Sequence, residues 1–319
     1  MQVVLLIIGF VIIIKASDLL VDASSALATR LRVPKMLIAL TIAAFGTCAP
    51  EIAISFQSVS AGNGEIAFAN VVGSCVVNVL LIIGLASFIK PIKIRHATIK
   101  KELPILVLIT SVFVILMLDS LFNPYTSDTF SRADGIVLLL LFGIFVVYLI
   151  QLFSKKADVS QEELDKVSYT PFWAIFTIVV SIICIIYSSD IIVSMAEDIA
   201  LRLHISEKVI TMFAIVIGTS LPEMVMTVTS AKKGEFDIAI GNIIGTNIFN
   251  ICIVLGLPVI IYGNVLLTGF GIIDIIMVFL SSALLFFFAR SEKTIDKKEA
   301  IIMLALFALY YFFLLVEGY

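Results

Sequence analysis

Two short stretches of this 319-residue chain each set a glutamate inside a strongly apolar run: AFGTCAPEIA, from Ala44 to Ala53, and VIGTSLPEMV, from Val216 to Val225. A charged side chain at the centre of a bilayer costs roughly 3 kcal/mol even on permissive insertion scales, so Glu51 and Glu223 require a functional explanation. In both stretches a glycine and a proline four residues apart (Gly46 and Pro50, Gly218 and Pro222) interrupt the helical hydrogen-bond ladder. The carbonyls freed in the intervening turn need partners, and a dehydrated cation is one such partner. The apolar runs that follow hold GSCVVN, Gly73 to Asn78, and GTNIFN, Gly245 to Asn250. Ser74 lies four residues before Asn78, and Thr246 four before Asn250, so each pair shares one helical face. Gly73 and Gly245 allow another helix to approach that face closely. Oxygen donors without thiolate or imidazole suit hard cations such as Ca2+, Na+ or Mg2+. Two carboxylates carry about −2, which one Ca2+ or two Na+ neutralise. A third Na+ would leave +1 and make the movement of the loaded site sensitive to voltage.

The elements that must position these residues are membrane spans. The chain is 61% hydrophobic and 14% charged, with a mean hydropathy of +1.16, well outside the range of soluble domains. Its runs suit helices of about 20 residues rather than the short alternating strands of a barrel. Ten spans are predicted, at Val3 to Leu27, Pro34 to Ser58, Ile66 to Ile89, Leu103 to Leu118, Gly135 to Phe153, Phe172 to Leu201, Val209 to Ala231, Ile238 to Tyr262, Gly269 to Ala289 and Ala300 to Val316. The first run lacks a cleavage site and reads as part of the mature protein. Loops after odd-numbered spans hold 17 of the 21 Lys and Arg residues. The positive-inside rule therefore makes those loops cytoplasmic and both termini extracellular. The fold class expected is an all-α integral membrane protein.

Shifting the sequence against itself by 172 residues aligns the halves without a gap from Ser17 to Leu85. Ser17 and Asp18 fall on Ser189 and Asp190, Gly46, Thr47, Pro50 and Glu51 on Gly218, Thr219, Pro222 and Glu223, and Asn70, Gly73 and Asn78 on Asn242, Gly245 and Asn250. An odd number of spans separates equivalent positions, so the copies must cross the membrane in opposite directions. Such an inverted repeat places a site near the midplane where the copies meet. The expected organisation is a first five-helix unit over 1–153, a polar cytoplasmic linker over 154–169 and a second unit over 170–319.

The paired GTxxPE and G(S/T)xxxN motifs on a five-plus-five repeat resemble the cation/Ca2+ exchanger superfamily, specifically the prokaryotic sodium/calcium exchangers with two alpha repeats, here 41–85 and 211–257. The resemblance implies an antiporter that works by alternating access, with spans one and six sliding. It implies Ca2+ and Na+ binding at Glu51 and Glu223, with backbone carbonyls of Thr47 and Thr219 and side-chain oxygens of Ser74, Asn78, Ser220, Thr246 and Asn250. Cys48 stands where that family usually has serine, replacing one hard oxygen by a poor ligand. Asn250 stands where many relatives, potassium-dependent ones included, carry aspartate, which argues against potassium coupling. Proton-coupled relatives typically carry GNxxE, so threonine and proline here favour sodium over the alternative of Ca2+/H+ exchange. A cation channel is the rival from another class, but a filter usually needs a ring of symmetry-related loops. Intramembrane enzyme chemistry lacks its usual paired aspartates or histidine cluster. No cofactor, no nucleic acid and a monomer working in the cell membrane are expected.

Elsewhere, Lys15 is placed three residues before Asp18, a spacing that permits an ion pair. Asp18 and Asp190 read as packing or gating residues, His96 and His204 as solvated loop residues. Trp173 and the tyrosines Tyr310, Tyr311 and Tyr319 fit interfacial anchoring. Cys75, Cys184 and Cys252 read as packing residues.

Overall fold

The apolar run that carries Glu51 is helical but not continuous. In the computed structural model, which describes residues 2–119, 128–155, 157, 160, 161, 164, 167, 169–202, 218–267 and 272–317, it forms α2 (Lys35–Thr47) and α3 (Ala49–Ser60), bent by 49°. The break is at Cys48, with φ −73° and ψ 0°, and Pro50 lies in the first turn of α3. Proline there forfeits only an N–H that has no helical partner, so it starts the second half-helix while barring its extension backward.

Except for the short helix His96–Lys100, which falls in the loop expected between the third and fourth spans, the other helices follow the predicted runs. They are α1 (Gln2–Leu31), α4 (Gly64–Ile89), α5 (His96–Lys100), α6 (Glu102–Leu116), α7 (Arg132–Phe153), α8 (Pro171–Arg202), α9 (Leu221–Lys233), α10 (Phe236–Tyr262), α11 (Ile272–Glu292) and α12 (Lys297–Glu317). Among the described residues, six helices are long and apolar enough to cross a membrane, or seven if α2 and α3 are taken as one bent span. The other three expected spans fall on α1, on α6 and on the segment ending in α9, whose residues 209–217 lie outside those described. His204 and Tyr319 lie outside them too, as do parts of the 154–169 linker.

The all-helical expectation needs one correction. Two short antiparallel ribbons join the halves, β1 (Ile92–Lys93) with β4 (Thr294–Ile295) and β2 (Thr129–Phe130) with β3 (Val265–Leu266). Two-residue strands have no alternation long enough to read, so hydropathy alone does not predict them.

Burial sorts the helices into a centre and a rim. The apolar stretches of α4 and α10 are 72% and 83% buried, against 17% for α7 and 22% for α12. Leu140, Ile144, Val147 and Ile150 of α7 and Phe172 and Trp173 of α8 are exposed apolar side chains, as expected of a surface facing lipid. Within the core, Phe68, Phe113 and Phe130 are fully buried; Phe130 meets both of the others edge to face, and Phe68 and Phe113 pack tilted against each other. Helices α1 and α8 lie along one another; a Cβ on Gly9 would meet the Ile192 side chain at 2.9 Å.

The spacing of 172 residues recurs as geometry. Thr110 of α6 and Ser282 of α11 hydrogen-bond to each other at 3.2 Å. Glu102, in the first turn of α6, accepts from Tyr148, and its counterpart Asp274, in the first turn of α11, accepts from Tyr310 at 2.7 Å. Both carboxylates are buried, so each tyrosine relieves a desolvation cost while fastening a helix of the rim.

Candidate ion-binding site

The break at Cys48 has a twin. Ser220 precedes α9 with φ −83° and ψ 4°, and Pro222 lies in the first turn. The same local sequence logic therefore gives two half-helix starts, each carrying a glutamate in its first turn: Glu51 in α3 and Glu223 in α9. The amino end of a helix, with its unsatisfied N–H groups, is where a carboxylate is best tolerated.

Opposite the breaks stand α4 and α10, and each widens from α-helical to π-helical turns beside its ligand candidates. Asn78 is in the π-turn Val77–Ile83, and Asn250 opens the π-turn Asn250–Leu255. Such bulges are frequent at functional sites. Helix α10 meets α2 closely because Gly245 lacks a side chain: a Cβ there would lie 2.7 Å from the Ala44 Cβ and 3.0 Å from the Leu40 Cα. This approach puts Thr246 against Cys48, whose Sγ is 4.0 Å from the Thr246 carbonyl oxygen.

All ten residues singled out by sequence are buried, nine of them completely and Thr219 with 8% exposure. The two copies interlock. Ser220 Oγ donates to Ser74 Oγ at 3.4 Å, and Thr219 Oγ1 donates to Asn70 Oδ1 at 3.4 Å. The Thr219 hydroxyl is within interaction range of Glu51, and the Thr47 hydroxyl within range of Glu223. Neither makes a well-formed hydrogen bond to a carboxylate, Thr47 donating instead to the Ala44 carbonyl at 3.3 Å. All four carboxylate oxygens of Glu51 and Glu223 are consequently buried without a well-formed hydrogen bond among the described residues, as are Asn78 Oδ1, Thr246 Oγ1 and both amide atoms of Asn250. Among the described residues, the ion pairs are Lys35–Glu235, Arg95–Asp237 and Lys233 with Asp18 and Asp22, none of which reaches the two glutamates. Nor does any group of three or more His, Cys, Asp or Glu among the described residues gather to hold a metal. A cation here would meet two carboxylates and otherwise neutral oxygens, the donor set of a hard ion.

One member of the arrangement escaped the sequence reading. Asn247 accepts from Asn78 Nδ2 at 2.9 Å and donates to the Cys75 carbonyl at 3.3 Å. It fixes the Asn78 amide so that Oδ1 remains available as an acceptor. Its repeat counterpart is Cys75, so pairing of like residues could not flag it; its being a further amide inside GTNIFN, between Thr246 and Asn250, was the signal available. The expected contact of Lys15 with Asp18 is also replaced. Lys233, at the end of α9, donates to the Asp18 carbonyl at 2.8 Å and to Asp22 Oδ1 at 2.8 Å, and lies 3.5 Å from Asp18 Oδ1. His96 is exposed, as expected.

A cavity of about 560 Å³ opens between α8 and the breaks, lined by Pro50, Ile54, Ser189, Asp190, Gly218 and Thr219 among others. It reaches both broken turns, at Ala49 and Pro50 on one side and at Gly218 and Thr219 on the other, and its largely apolar wall carries the polar side chains of Ser189, Asp190 and Ser194.

Comparison with known proteins agrees with this geometry. The family described as "Sodium/calcium exchanger protein" matches residues 1–151 and 173–316. The inner membrane protein YrbG of Escherichia coli is 34% identical over 266 residues, 81% of this chain and 79% of its own. The sodium/calcium exchanger MaX1 of Methanosarcina acetivorans is 29% identical over 290 residues, 81% of this chain and 82% of its own. Among solved structures, the sodium-calcium exchanger NCX_Mj, in crystals soaked with Na+ and Sr2+, superposes with a TM-score of 0.82 at 26% identity, covering 97% of this chain and 96% of its own. The chain is a membrane protein of the sodium/calcium exchanger family.

Proposed function

We propose that the protein is a secondary antiporter that exchanges Ca2+ for Na+ at a midplane site built on Glu51 and Glu223. The observation that carries this reading is the pair of fully buried glutamates whose four oxygens have, among the described residues, neither a well-formed hydrogen bond nor a basic partner. Burying an ionised carboxylate unpaired costs several kcal/mol, so the carrier crosses between its two faces at low cost only when cations neutralise the pair. That asymmetry obliges exchange rather than leak. Ca2+ would be held by Glu51 and Glu223 with the Thr47 and Thr219 carbonyls, and Na+ by the same carboxylates with oxygens of Ser74, Asn78, Ser220, Thr246 and Asn250. Cys48 stands at the position equivalent to Ser220 and offers sulfur where the other copy offers a hydroxyl.

In this reading the chain spans the cell membrane ten times as two inverted five-helix units, 1–153 and 170–319, joined by a cytoplasmic linker. The basic loops are cytoplasmic and both termini extracellular. A single chain contains the whole site and works as a monomer. Helices α1 and α8, packed along each other, slide past the broken helices to expose the site on alternate sides. The recurrence of helix breaks, π-turns and capped carboxylates at the same spacing supports the repeat.

Protons could neutralise the same buried carboxylates, which keeps Ca2+/H+ exchange as the second reading. Proteoliposomes loaded with Na+ and diluted into Na+-free medium separate the two. Uptake of Ca2+ that requires the Na+ gradient, and is lost in Glu51→Gln and Glu223→Gln, is expected. Uptake driven by a pH gradient alone would favour the proton, and flux without a counter-gradient would overturn antiport.

A further inference from the structure

The two flanks of the site differ at one donor atom. On one flank, the hydroxyl of Ser220 meets that of Ser74 at 3.4 Å, and Asn247 ties the Asn78 amide nitrogen so that Asn78 Oδ1 stays free. Every ligand candidate on that flank is an oxygen. The repeat-related flank consists of Cys48, Thr246 and Asn250, each 172 residues from Ser220, Ser74 and Asn78 respectively. There the residue at the helix break offers sulfur, 4.0 Å from the Thr246 carbonyl. The Thr246 hydroxyl, within interaction range of the thiol, and both amide atoms of Asn250 are buried without a well-formed hydrogen bond among the described residues. The backbone at the two breaks is nearly the same, φ −73° and ψ 0° against φ −83° and ψ 4°. What distinguishes the flanks is therefore the donor atom and not the fold.

Resting on the sodium/calcium exchange reading, we propose that Cys48 abolishes one of two repeat-related sodium positions, so that the carrier exchanges two Na+ for one Ca2+ with no net charge moved. Na+ is a hard cation that trades its hydration shell only for an adequate set of oxygens. A neutral thiol is a soft, weakly polar donor, so it does not replace the missing oxygen. The oxygen-complete flank keeps its Na+ and the carboxylate pair binds a second. Two Na+ then neutralise the charge of −2, as one Ca2+ does. Both loaded forms cross the membrane neutral.

The test uses the full chain in proteoliposomes, comparing wild type with Cys48→Ser and Cys48→Ala. The readouts are the slope of Ca2+ uptake against internal Na+ and its response to a clamped membrane potential. With three Na+ leaving per Ca2+ entering, one positive charge exits each cycle. An interior-positive potential then favours uptake, and about 60 mV changes the Ca2+ accumulation ratio about tenfold. Wild type is expected to show a slope near two and no response to potential. Cys48→Ser restores the oxygen and is expected to raise the slope towards three and confer the tenfold response. Cys48→Ala removes the sulfur without adding oxygen and is expected to match wild type, which a thiol acting as ligand or packing element would not allow. A voltage-driven wild type, an unchanged Cys48→Ser, or an altered slope in Cys48→Ala would each overturn the proposal while leaving Na+/Ca2+ exchange intact. Absence of Na+-dependent uptake in wild type would overturn the exchange reading itself.

Discussion

The helix breaks at Cys48 and Ser220 have almost the same backbone, yet their surroundings are unlike. Around Ser220, hydroxyl bonds to hydroxyl and the nearby Asn78 amide is braced by Asn247; around Cys48, the hydroxyl of Thr246 and the amide of Asn250 make no well-formed hydrogen bond among the described residues. Backbone symmetry is enforced by glycine, proline and close helix packing, which tolerate few substitutes. Side-chain chemistry at the same positions is freer to diverge, and it is there that a two-fold frame can acquire an asymmetric function.

What the flanks share is the pair of glutamates, and removing either breaks the comparison most severely. Glu51→Gln and Glu223→Gln are each expected to reduce Ca2+ uptake by at least a hundredfold. In the ion-free protein the same variants should be more stable than wild type, because a buried unpaired carboxylate gives way to a neutral amide. Thermal unfolding in detergent with and without Ca2+ checks both halves: the variants should gain melting temperature without the ion and lose the increment Ca2+ confers on wild type. A fall in the ion-free melting temperature would mean that the glutamates are satisfied in a way the buried orphan oxygens deny.

Next in size come the glycines that hold each flank in place. At Gly245 an added Cβ meets the Ala44 Cβ at 2.7 Å and backbone at 3.0 Å, whereas at Gly46 it meets the end of the flexible Ile182 side chain at 2.3 Å. Gly245→Ala must push α10 from α2 and is expected to cost about 1–3 kcal/mol in stability along with most transport. Gly46→Ala can be absorbed by a rotamer change of Ile182 and should cost less. Equal losses in unfolding experiments would show that Ile182 is as fixed as the backbone. Bracing by Asn247 is subtler. Asn247→Ala leaves every proposed ligand in place and should weaken ion affinity about tenfold, the scale typical of residues that orient ligands. Titration of Ca2+ against the melting temperature would detect it, and an unchanged affinity would remove Asn247 from the site.

Much of this was legible in the sequence. Long apolar runs give helices because a backbone in lipid must satisfy its own polar groups, and the glycine-proline pairs around Cys48 and Ser220 announced the breaks. Glu51 and Glu223 stood out because an acid in such a run is costly. The ribbons β1–β4 and β2–β3 were not legible, since two residues carry no period. Nor were the π-turns, whose sequences read as ordinary apolar helix. Asn247 was hidden by the method that found its neighbours: comparing copies reveals what they share, and Asn247 serves one copy only. The partner of Asp18 was missed because helical spacing finds contacts along one helix, and Lys233 lies 215 residues away.

That last contact extends the comparison from the flanks of the site to the two ends of the α1–α8 pair. Where α1 meets the end of α9, Lys233 clasps Asp18 and Asp22, and Ser17 Oγ donates to the Val225 carbonyl at 3.1 Å. The repeat counterparts of Asp18, Asp22 and Lys233 are Asp190, Ser194 and Ala61, which supply no cation and only one acid. Asp190 and Ser194 line the cavity of about 560 Å³ that reaches Thr219. One end of the pair is thus tied and the other open. The ionic contacts are partly exposed, and such pairs are worth about 0.2–1 kcal/mol each. Lys233→Ala should therefore shift the balance between the two access states by only a few-fold. The expected outcome is an apparent Ca2+ affinity about threefold tighter from the side of the basic loops, with the difference fading at high ionic strength as screening weakens the wild-type tie. A shift of the opposite sign would mean that the tie holds α1 in the state open towards those loops, and that the open cavity is not the path by which ions reach the site.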